Sequence, residues 1–344
     1  MTTVYTALPN RLLVSRDDSG GTGDDDGEDG GDGEWAQSTR LEGYDLECVA
    51  VSPDAPDRVF VGTFEDGLFR STDGGDSFDA LETDFASDAV MAATVSPHDP
   101  DVVYAGTEPS RVYRSDDGGD TWTHLEGLVD LPSEEEWYFP PRPHTHHVRW
   151  LEVDPHDSDR LYVGIEAGAF VIRDEARDSW QERPEGSRID NHSLATHPDM
   201  AGRVYTAAGD GYAQSDDGGE TWSHPQSGLE HRYCWSVVPH PEDPDRVLLS
   251  SASGASSAHT ASQAKAYAYR KPGPDADWER LDDRGLPMGK GVVRTIFDEC
   301  SGSIYAVSNA GCFVSRDFGD SWSVLETDWD GEESKTPRGL AVVA

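Results

Sequence analysis

The chain has 344 residues, of which 27 are Lys or Arg and 67 are Asp or Glu, so its net charge is −40. A chain of this charge without a basic stripe cannot match a phosphate backbone, so we expect no nucleic-acid partner. The sequence has no apolar run of 18 residues and no leader-like apolar segment, so we expect a cytoplasmic protein without a membrane span. We also expect a monomer.

Two short apolar runs, TVYTAL and RLLVS, open the chain and predict β-strands, because they are rich in Val, Leu and Thr. Residues 18–34 follow, and their sequence DSGGTGDDDGEDGGDGE contains no apolar side chain. A segment of this composition cannot bury enough apolar surface to become ordered, so we expect an acidic, disordered loop here.

The next unit, residues 46–82, shows the organisation of the chain most clearly. It contains four short apolar runs, LECVAVSP, RVFVGT, LFRS and SFDALE, separated by DAPD, FEDG and TDGGD. Runs of this length bounded by Gly, Pro and Asp are typical of strands joined by tight turns. The unit therefore predicts a four-stranded antiparallel sheet.

The turn between the third and fourth strands has the pattern S-x-D-x-G-x-x-aromatic. It is centred on Asp73 and returns around Asp117, Asp217 and Asp317. An Asp carboxylate can accept hydrogen bonds from nearby backbone N–H groups, and Gly adopts positive φ at low cost. We therefore interpret these four aspartates as structural residues of a repeated turn.

The aromatic position of this turn identifies seven units, spaced by 42 to 58 residues. The aromatic residues are Trp35, Phe78, Trp122, Trp180, Trp222, Trp278 and Trp322. The units span residues 1–43 with 337–344, 44–84, 88–127, 146–184, 190–226, 232–283 and 290–327. Units of about forty residues with four strands predict one all-β domain over residues 1–344, a seven-bladed β-propeller of four-stranded antiparallel blades.

The two ends of the chain predict how the ring closes. The first unit lacks an opening strand, and residues 338–344, RGLAVVA, read as a first strand with nothing after it. We expect this C-terminal strand to complete the N-terminal blade, because closure removes the exposed sheet edges. The alternative is a six-bladed ring with one unit outside it.

The repeated turn resembles the Asp-box, or BNR repeat, of a β-propeller superfamily. That superfamily includes sialidases, sortilin-type receptors, xyloglucan-cleaving hydrolases and the photosystem II stability/assembly factor, and the assembly-factor-like and sortilin-like propellers are the nearest resemblance. It covers nearly the whole chain and implies the fold, but one fold hosts many activities. The acidic composition, with Arg far more frequent than Lys, resembles that of haloarchaeal proteins.

Long connections concentrate on one face of the predicted ring. Residues 128–147 form an inserted loop that we place at the mouth of the central channel, and the loop at residues 253–267 carries His259. Enlarged loops around a rigid scaffold commonly build a binding site. We therefore expect one pocket at this mouth, framed by the fourth to sixth units.

One inner-strand position carries a different functional side chain in each unit. Superposition on the Pro after the first strand aligns Glu47, Met91, Arg149, His192 and Trp235. Two residues earlier, the aligned residues are Asp45, Ala89, His147, Asp190 and Tyr233. A position that only supports the scaffold would look alike in every blade, so these positions predict side chains that face a common pocket.

Candidate site residues follow from these positions and loops. The catalytic candidates are His147, His192, His231, Glu108, Glu166 and Asp190, and the three histidines are also the candidate ligands of a divalent metal. The ligand-binding candidates are Arg149, Trp150, Arg232, Tyr233, Trp235, His259, Arg294 and Arg338. Trp137 and Tyr138 add aromatic rings for stacking on a sugar or another planar ligand.

Three functions remain open at this point. The first is an enzyme that uses a divalent metal or general acid/base chemistry, as a glycoside hydrolase-like enzyme, a lyase or a lactonase. The second, which we favour, is recognition of a small polar or anionic ligand such as a saccharide. The third is a non-catalytic protein-binding scaffold or assembly factor. Sialidase activity is disfavoured, because the Arg-Ile-Pro signature of that family is absent and the nearest string, Arg188-Ile189-Asp190, lies in the wrong unit.

Overall fold

A computed structural model describes residues 1–17 and 35–344. The predicted acidic loop at residues 18–34 lies outside the described residues. The described strands form seven separate sheets, which are the blades of a seven-bladed β-propeller. The few helices found in this part of the chain are too short or too polar to cross a membrane.

The first four blades each contain four antiparallel strands. Their bounds are β1 (Thr3–Leu8), β2 (Arg11–Asp17), β3 (Trp35–Arg40) and the C-terminal β28 (Gly339–Val343) in blade 1; β4 (Leu46–Ser52), β5 (Ala55–Thr63), β6 (Leu68–Ser71) and β7 (Asp79–Ala80) in blade 2; β8 (Val90–Val95), β9 (Val103–Thr107), β10 (Val112–Ser115) and β11 (Thr123–His124) in blade 3; and β12 (Val148–Val153), β13 (Arg160–Ile165), β14 (Phe170–Asp174) and β15 (Ser179–Gln181) in blade 4.

The remaining three blades differ more from one another. Their strands are β16 (Asn191–Thr196), β17 (Val204–Ala208) and β18 (Gly211–Ser215) in blade 5; β19 (Tyr233–His240), β20 (Asp243–Ala252), β21 (Lys265–Lys271), β22 (Glu279–Arg280) and β23 (Gly289–Lys290) in blade 6; and β24 (Ile296–Cys300), β25 (Ser303–Ser308), β26 (Gly311–Ser315) and β27 (Ser323–Val324) in blade 7. The helical segments are the 3₁₀ turns Leu128–Asp130, Pro132–Glu136 and Ala261–Gln263 and the short α-helix Ala255–His259.

Blade 5 departs from the predicted four strands. Its fourth position is reduced to one bridge between Gln214 and Ser223. Pro225 follows two residues later and has no N–H to extend a ladder, which explains why the strand stops.

The C-terminal strand closes the ring, as predicted. β28 pairs antiparallel with β1 in a register that sets Val343 opposite Thr3 and Gly339 opposite Ala7. The innermost strand of blade 1 thus comes from the end of the chain and its other three strands from the beginning, so the ring has no open seam between blades.

The hydrophobic core lies between neighbouring blades. Phe60 and Leu68 of blade 2, for example, pack with Val90, Val103 and Ala105 of blade 3, and all five are fully buried. Burial of one large apolar side chain contributes roughly 1.5 to 3 kcal/mol, so each interface between blades is a substantial share of the stability.

The repeated turn is held by its own side chains. Ser71 Oγ donates to Asp73 Oδ1 at 2.7 Å, and the backbone N–H of Gly75 donates to Ser71 Oγ at 2.8 Å. The backbone N–H and hydroxyl of Ser77 both donate to the Asp73 carboxylate, at 2.9 and 2.6 Å. The same bonds recur around Asp117, Asp217 and Asp317. These bonds, led by that of the Ser77 hydroxyl, lower the pKa of Asp73 to about 2.

Two glycines in second strands lie so close to the next blade that no larger residue fits in their place. A Cβ built on Gly106 of β9 would lie 2.6 Å from Val148 Cβ, the first residue of the next blade's innermost strand. A Cβ built on Gly62 of β5 would lie 2.5 Å from the carbonyl oxygen of Val90 in blade 3. Only glycine allows the blades to approach this closely at the channel mouth.

Candidate functional site

A cavity of about 930 Å³ lies where the innermost strands begin. Its walls come from those strands and from three connections, residues 139–142, 255–260 and 334–338. The first connection is part of the long 128–147 segment. A second cavity, of about 400 Å³, is lined by residues farther along the same strands, such as Leu151 and Val237.

Local bulges aim the side chains that line the first cavity. In β12, Val148 pairs with Ile165 and Trp150 pairs with Gly164, which leaves Arg149 as an extra residue. The equivalent irregularity falls at Glu47, at Met91, at His192 and in the segment that contains Trp235. A bulge re-aims a side chain out of the regular pleat. The aligned positions found in the sequence are therefore the bulged positions of the structure.

Five side chains of alternating charge type are connected along one wall of the cavity. Arg142, His147, Arg149 and Glu166 line it, whereas the predicted catalytic residue Glu108 contacts Arg142 and His147 but does not itself line the cavity. Arg142 makes a two-pronged contact with Glu108, with its Nε 2.6 Å from Glu108 Oε1. His147 lies between two carboxylates, with Nδ1 3.4 Å from Glu108 and Nε2 3.1 Å from Glu166. Arg149 Nε lies 3.7 Å from the same oxygen of Glu166. Burial raises the pKa of Glu166, but the bond from His147 and the nearby positive charges outweigh it, and the net shift is downward.

His192 is fully buried beside this wall. Its Nδ1 lies 2.6 Å from the carbonyl oxygen of Cys234, which can only accept, so Nδ1 carries the proton. Its Nε2 has no hydrogen-bond partner among the residues that the structure describes, and it lies 3.7 Å from Asp190 Oδ1 and 4.0 Å from Glu166 Oε1. Burial is the main cause that raises the pKa of Asp190, whose Oδ1 accepts the N–H of Ala167 at 2.9 Å.

Arg294 is a buried cation without a carboxylate partner. Its side chain is 2% exposed, and within the described residues no carboxylate oxygen lies at ion-pair distance from it. The guanidinium lies over the Trp235 ring, donates to the Pro337 carbonyl at 2.8 Å and donates from Nε to His259 Nδ1 at 3.1 Å. Burial first, and then the charges of neighbouring arginines, lower its pKa. Arg294 lines the cavity, so its charge is available to a ligand there.

The contacts of His259 fix its protonation. Because Nδ1 accepts from Arg294, the proton is on Nε2, which lies 3.0 Å from the Tyr233 hydroxyl. Burial and the Arg294 charge lower the pKa of His259 to about 2, so it stays neutral. Burial is the largest cause that raises the pKa of Tyr233. Tyr233 therefore keeps its O–H and can donate it into the cavity.

Arg338 completes the basic part of the cavity. It lies 3.6 Å from Glu47, and its side chain is about two-fifths exposed. The cavity lining holds five Lys or Arg and four Asp or Glu, whereas the whole chain holds 27 and 67. The lining of the cavity is thus far less acidic than the chain as a whole.

Several predicted residues lie elsewhere. His231 does not line the cavity: its ring stacks on Tyr267 at 4.5 Å, and its Nδ1 lies 2.5 Å from the Tyr269 hydroxyl. The predicted metal set of three histidines is therefore not assembled as such, because the ring of His231 is held by its own blade. Arg232 is exposed outside the cavity. Trp150 lines the second cavity instead of the first.

The aromatic candidates also have structural partners. Trp235 is 5% exposed, with Arg294 at 3.7 Å and Arg149 at 5.0 Å from its ring centroid. Its ring supports the two cations and is not free to stack on a sugar. Trp137 is buried in the core of blades 3 and 4, and Tyr138 is exposed outside the cavity.

Sequence reasoning missed some of the lining. The sequence patterns do not point to Arg142, to Phe139 or to residues 334–336, which include Lys335, although all of these line the cavity. The length of the 128–147 segment signals that some of its residues reach the mouth. No sequence signal identifies Arg142 among them, because its partner Glu108 lies far from it in sequence, in the loop between β9 and β10.

No family model matches the chain, and no curated protein matches it. Among solved structures, an ancestral GH74 enzyme aligns with a TM-score of 0.64 at 14% identity, and the GH74 enzyme of Niastella koreensis with 0.65 at 14%. The alignments cover 83% and 94% of this chain but only 39% and 55% of those chains. This chain thus spans about half the length of these enzymes or less.

A structure of YCF48 bound to D1 peptide aligns with a TM-score of 0.58 at 16% identity, over 89% of this chain and 85% of that one. YCF48 from Cyanidioschyzon merolae aligns with 0.55 at 12% identity. At these identities the likeness concerns the fold alone. This chain is a seven-bladed β-propeller similar in architecture to the GH74 enzymes and to YCF48.

Proposed function

We propose that the protein binds a small ligand that carries a carboxylate, such as a sugar acid, in the 930 Å³ cavity at the mouth of the ring. A cavity of this volume suits a ligand the size of one or two sugar rings. In this proposal Arg294 and Arg338 hold the carboxylate and Tyr233 donates a hydrogen bond to it. Arg149 adds positive charge, and Trp235 positions both Arg149 and Arg294.

The unpaired charge of Arg294 carries this proposal. A buried cation without a counter-charge is costly, and an anion that enters the cavity removes part of that cost. A guanidinium also presents a planar fork that matches the two oxygens of a carboxylate. The excess of basic over acidic residues in the lining supports the same ligand charge, in a protein that otherwise repels anions.

Hydrolase or lyase chemistry on such a ligand has its own candidates in the wall of alternating charges. His147 is held between Glu108 and Glu166, and this is the arrangement in which an imidazole can transfer protons. Binding is the better supported of the two, because the basic residues of the cavity can hold a carboxylate whether or not a reaction follows.

The test measures binding of D-glucuronate and D-glucose to the full chain in molar KCl, by ligand-observed NMR and calorimetry. We expect saturable binding of glucuronate and none of glucose, since the two differ in the carboxylate. Arg294→Gln should weaken glucuronate binding by about ten-fold or more, which is the usual scale for one charge-assisted contact. Arg232→Gln, an exposed arginine outside the cavity, is the matched control and should bind like the unmodified protein.

Two results would overturn the proposal. Equal affinity for the acid and the neutral sugar would show that the carboxylate is not recognised. Unchanged glucuronate affinity in a folded Arg294→Gln protein would show that the buried cation does not face the ligand. Arg294→Lys, which retains the charge without the fork, serves if the Gln variant does not fold.

A protein partner is the alternative from a different class of function. The YCF48 structure is described as bound to a D1 peptide, and that likeness concerns the fold. In the described part of this chain, the large exposed apolar side chains are Met1, Tyr138, Ile189 and Val324, from four separate segments. Specific protein interfaces usually need a continuous patch, so a small ligand is the better supported proposal.

A further inference from the structure

One group of donors beside the cavity fits a metal ion. Nε2 of His192 and carboxylate oxygens of Glu166 and Asp190 lie within 4.8 Å of one another. Glu166 and Asp190 line the cavity, and His192 lies behind them, fully buried. A pair of acidic residues alone would not indicate a site, since exposed acidic groups are common in this chain.

The hydrogen bonding of the His192 ring points to a metal ion independently of the two acidic residues. Its Nδ1–H is bound to the Cys234 carbonyl, so a neutral ring directs the lone pair of Nε2 toward the two carboxylates. That nitrogen is buried, and within the described part of the chain it has no hydrogen-bond partner. A backbone carbonyl on the other ring nitrogen is the usual support of a metal-bound histidine.

A protonated ring explains the geometry less well. An Nε2–H would face oxygens at 3.7 and 4.0 Å, which are too distant for hydrogen bonds. A cation bonded at about 2.0 to 2.2 Å to each donor would bridge these gaps after side-chain shifts of a few tenths of an ångström. The second oxygen of Glu166 remains bound by His147, so the carboxylate stays oriented.

We infer that His192, Glu166 and Asp190 bind one divalent transition-metal ion of the zinc or manganese type. One imidazole nitrogen with two carboxylates suits this class of ion, which accepts mixed nitrogen and oxygen donors. Three protein ligands leave coordination positions on the side of the cavity. The inference goes beyond carboxylate binding and stands without it, because it uses none of the basic residues of the cavity.

The experiment titrates Co²⁺ into full-length protein after dialysis against a chelator in molar KCl. Visible absorption of the ion reports its coordination, and elemental mass spectrometry reports its stoichiometry. Molar salt and a competing chelator in the titration suppress weak binding to the acidic surface. We expect one tight equivalent that Zn²⁺ displaces and that shifts the ring-proton NMR signals of His192.

Variants decide whether that equivalent belongs to this site. His192→Ala should weaken the tight binding at least a hundred-fold and Asp190→Asn at least ten-fold, because loss of a ligand should cost no less than the ten- to hundred-fold that is typical for loss of an outer-shell partner. His231→Ala removes a histidine outside the cavity, and Asp45→Asn removes a cavity carboxylate outside the donor group. Both controls should retain the tight equivalent.

Two outcomes would overturn the inference. The first is the absence of any Co²⁺ binding that resists the chelator. The second is a tight equivalent that persists in folded His192→Ala protein. If that variant does not fold, Asp190→Asn and Glu166→Gln, which preserve side-chain size, decide the question. Neither outcome would affect the proposal of carboxylate binding, because the glucuronate experiment is carried out without added metal.

Discussion

Arg294 and Trp235 form the contact on which the basic side of the cavity rests. The guanidinium carbon lies 3.7 Å from the centroid of the indole ring, and Arg149 shares the same ring at 5.0 Å. An aromatic ring offers a cation attraction without neutralising its charge. The pair therefore holds positive charge in a buried place and leaves it available to a ligand.

Loss of the Trp235 ring should weaken the proposed carboxylate binding. Trp235→Leu removes the support of two arginines, and we expect glucuronate affinity to fall roughly three- to thirty-fold, the range of one or two cation–π contacts. Trp235→Phe retains an aromatic face and should recover part of the affinity. Calorimetry on folded variants checks this; equal affinity in the Leu and Phe proteins would contradict it.

Close approach of blades 3 and 4 should make Gly106 intolerant of a methyl group. A Cβ at Gly106 would lie 2.4 Å from Val148 Cγ1, so Gly106→Ala should lower the free energy of unfolding by about 1 to 3 kcal/mol, as overpacking does. Gly273→Ala is the matched control, because a Cβ at Gly273 would have no neighbouring atom within 4 Å. Denaturant unfolding measures both variants.

A second substitution separates steric clash from other effects at Gly106. Val148→Ala removes Cγ1 and Cγ2, two of the three Val148 atoms that the new methyl group would meet, and retains Cβ. The double variant should therefore relieve part of the clash and lose less stability than the sum of the single changes. Strict additivity would show that the clash with Val148 is not the cause.

Glu152 should make stability depend on pH near neutrality. This residue lines the second cavity, and burial raises its pKa to about 7. The unfolded chain releases this proton near pH 4.3, whereas the folded protein keeps it up to about pH 7. Stability should therefore fall as the pH rises from about 4.3 to 7, and the loss should be complete above that range.

Glu152→Gln removes this effect, because the amide does not ionise. The difference in the free energy of unfolding between the variant and the unmodified protein should be roughly 1 to 2 kcal/mol more in favour of the variant at pH 8 than at pH 5. Glu326→Gln, at an exposed carboxylate, should show no such gain. Chemical denaturation at the two pH values provides the measurement, and an equal pH slope in all three proteins would refute the assignment.

The net charge of −40 should make the fold depend on salt. The Debye length falls from about 10 Å at 0.1 M to about 3 Å at 1 M, so KCl should screen the repulsion between surface carboxylates. We expect the melting temperature to rise steeply up to about 1 M KCl and little beyond it. A melting temperature independent of KCl would show that repulsion between the surface carboxylates does not limit the stability of the fold.

The aligned positions in the innermost strands show how far sequence reasoning reached toward the site. Arg149 and Trp235 share one aligned position, His147 and Tyr233 share the other, and all four line the cavity. The alignment works because the innermost strands of blades 2 to 6 bulge at the same place, and a shared bulge directs equivalent residues to the axis. The repeats thus indicate which side chains face the channel axis as well as which fold the chain adopts.

His231 and His192 show where such reasoning ends. Both follow long connections and look equivalent in sequence, but His231 stacks on Tyr267 within its own blade, whereas His192 is enclosed between blades with one nitrogen unpartnered. Which ring nitrogen carries the proton depends on the Cys234 carbonyl, 42 residues away in sequence. Contacts of that range follow from the ring geometry and not from any local pattern.

The sequence by itself determined the seven units, the turn around each repeated Asp and the closure by the C-terminal strand, because these depend on local periodicity and on the need to pair every strand edge. Only the tertiary structure decided that Arg294 has no carboxylate partner among residues 1–17 and 35–344, that Trp235 supports cations and that His192 lies close to Glu166 and Asp190. Such properties depend on which blades face one another across the channel, and burial there sets the cost of every unpaired charge.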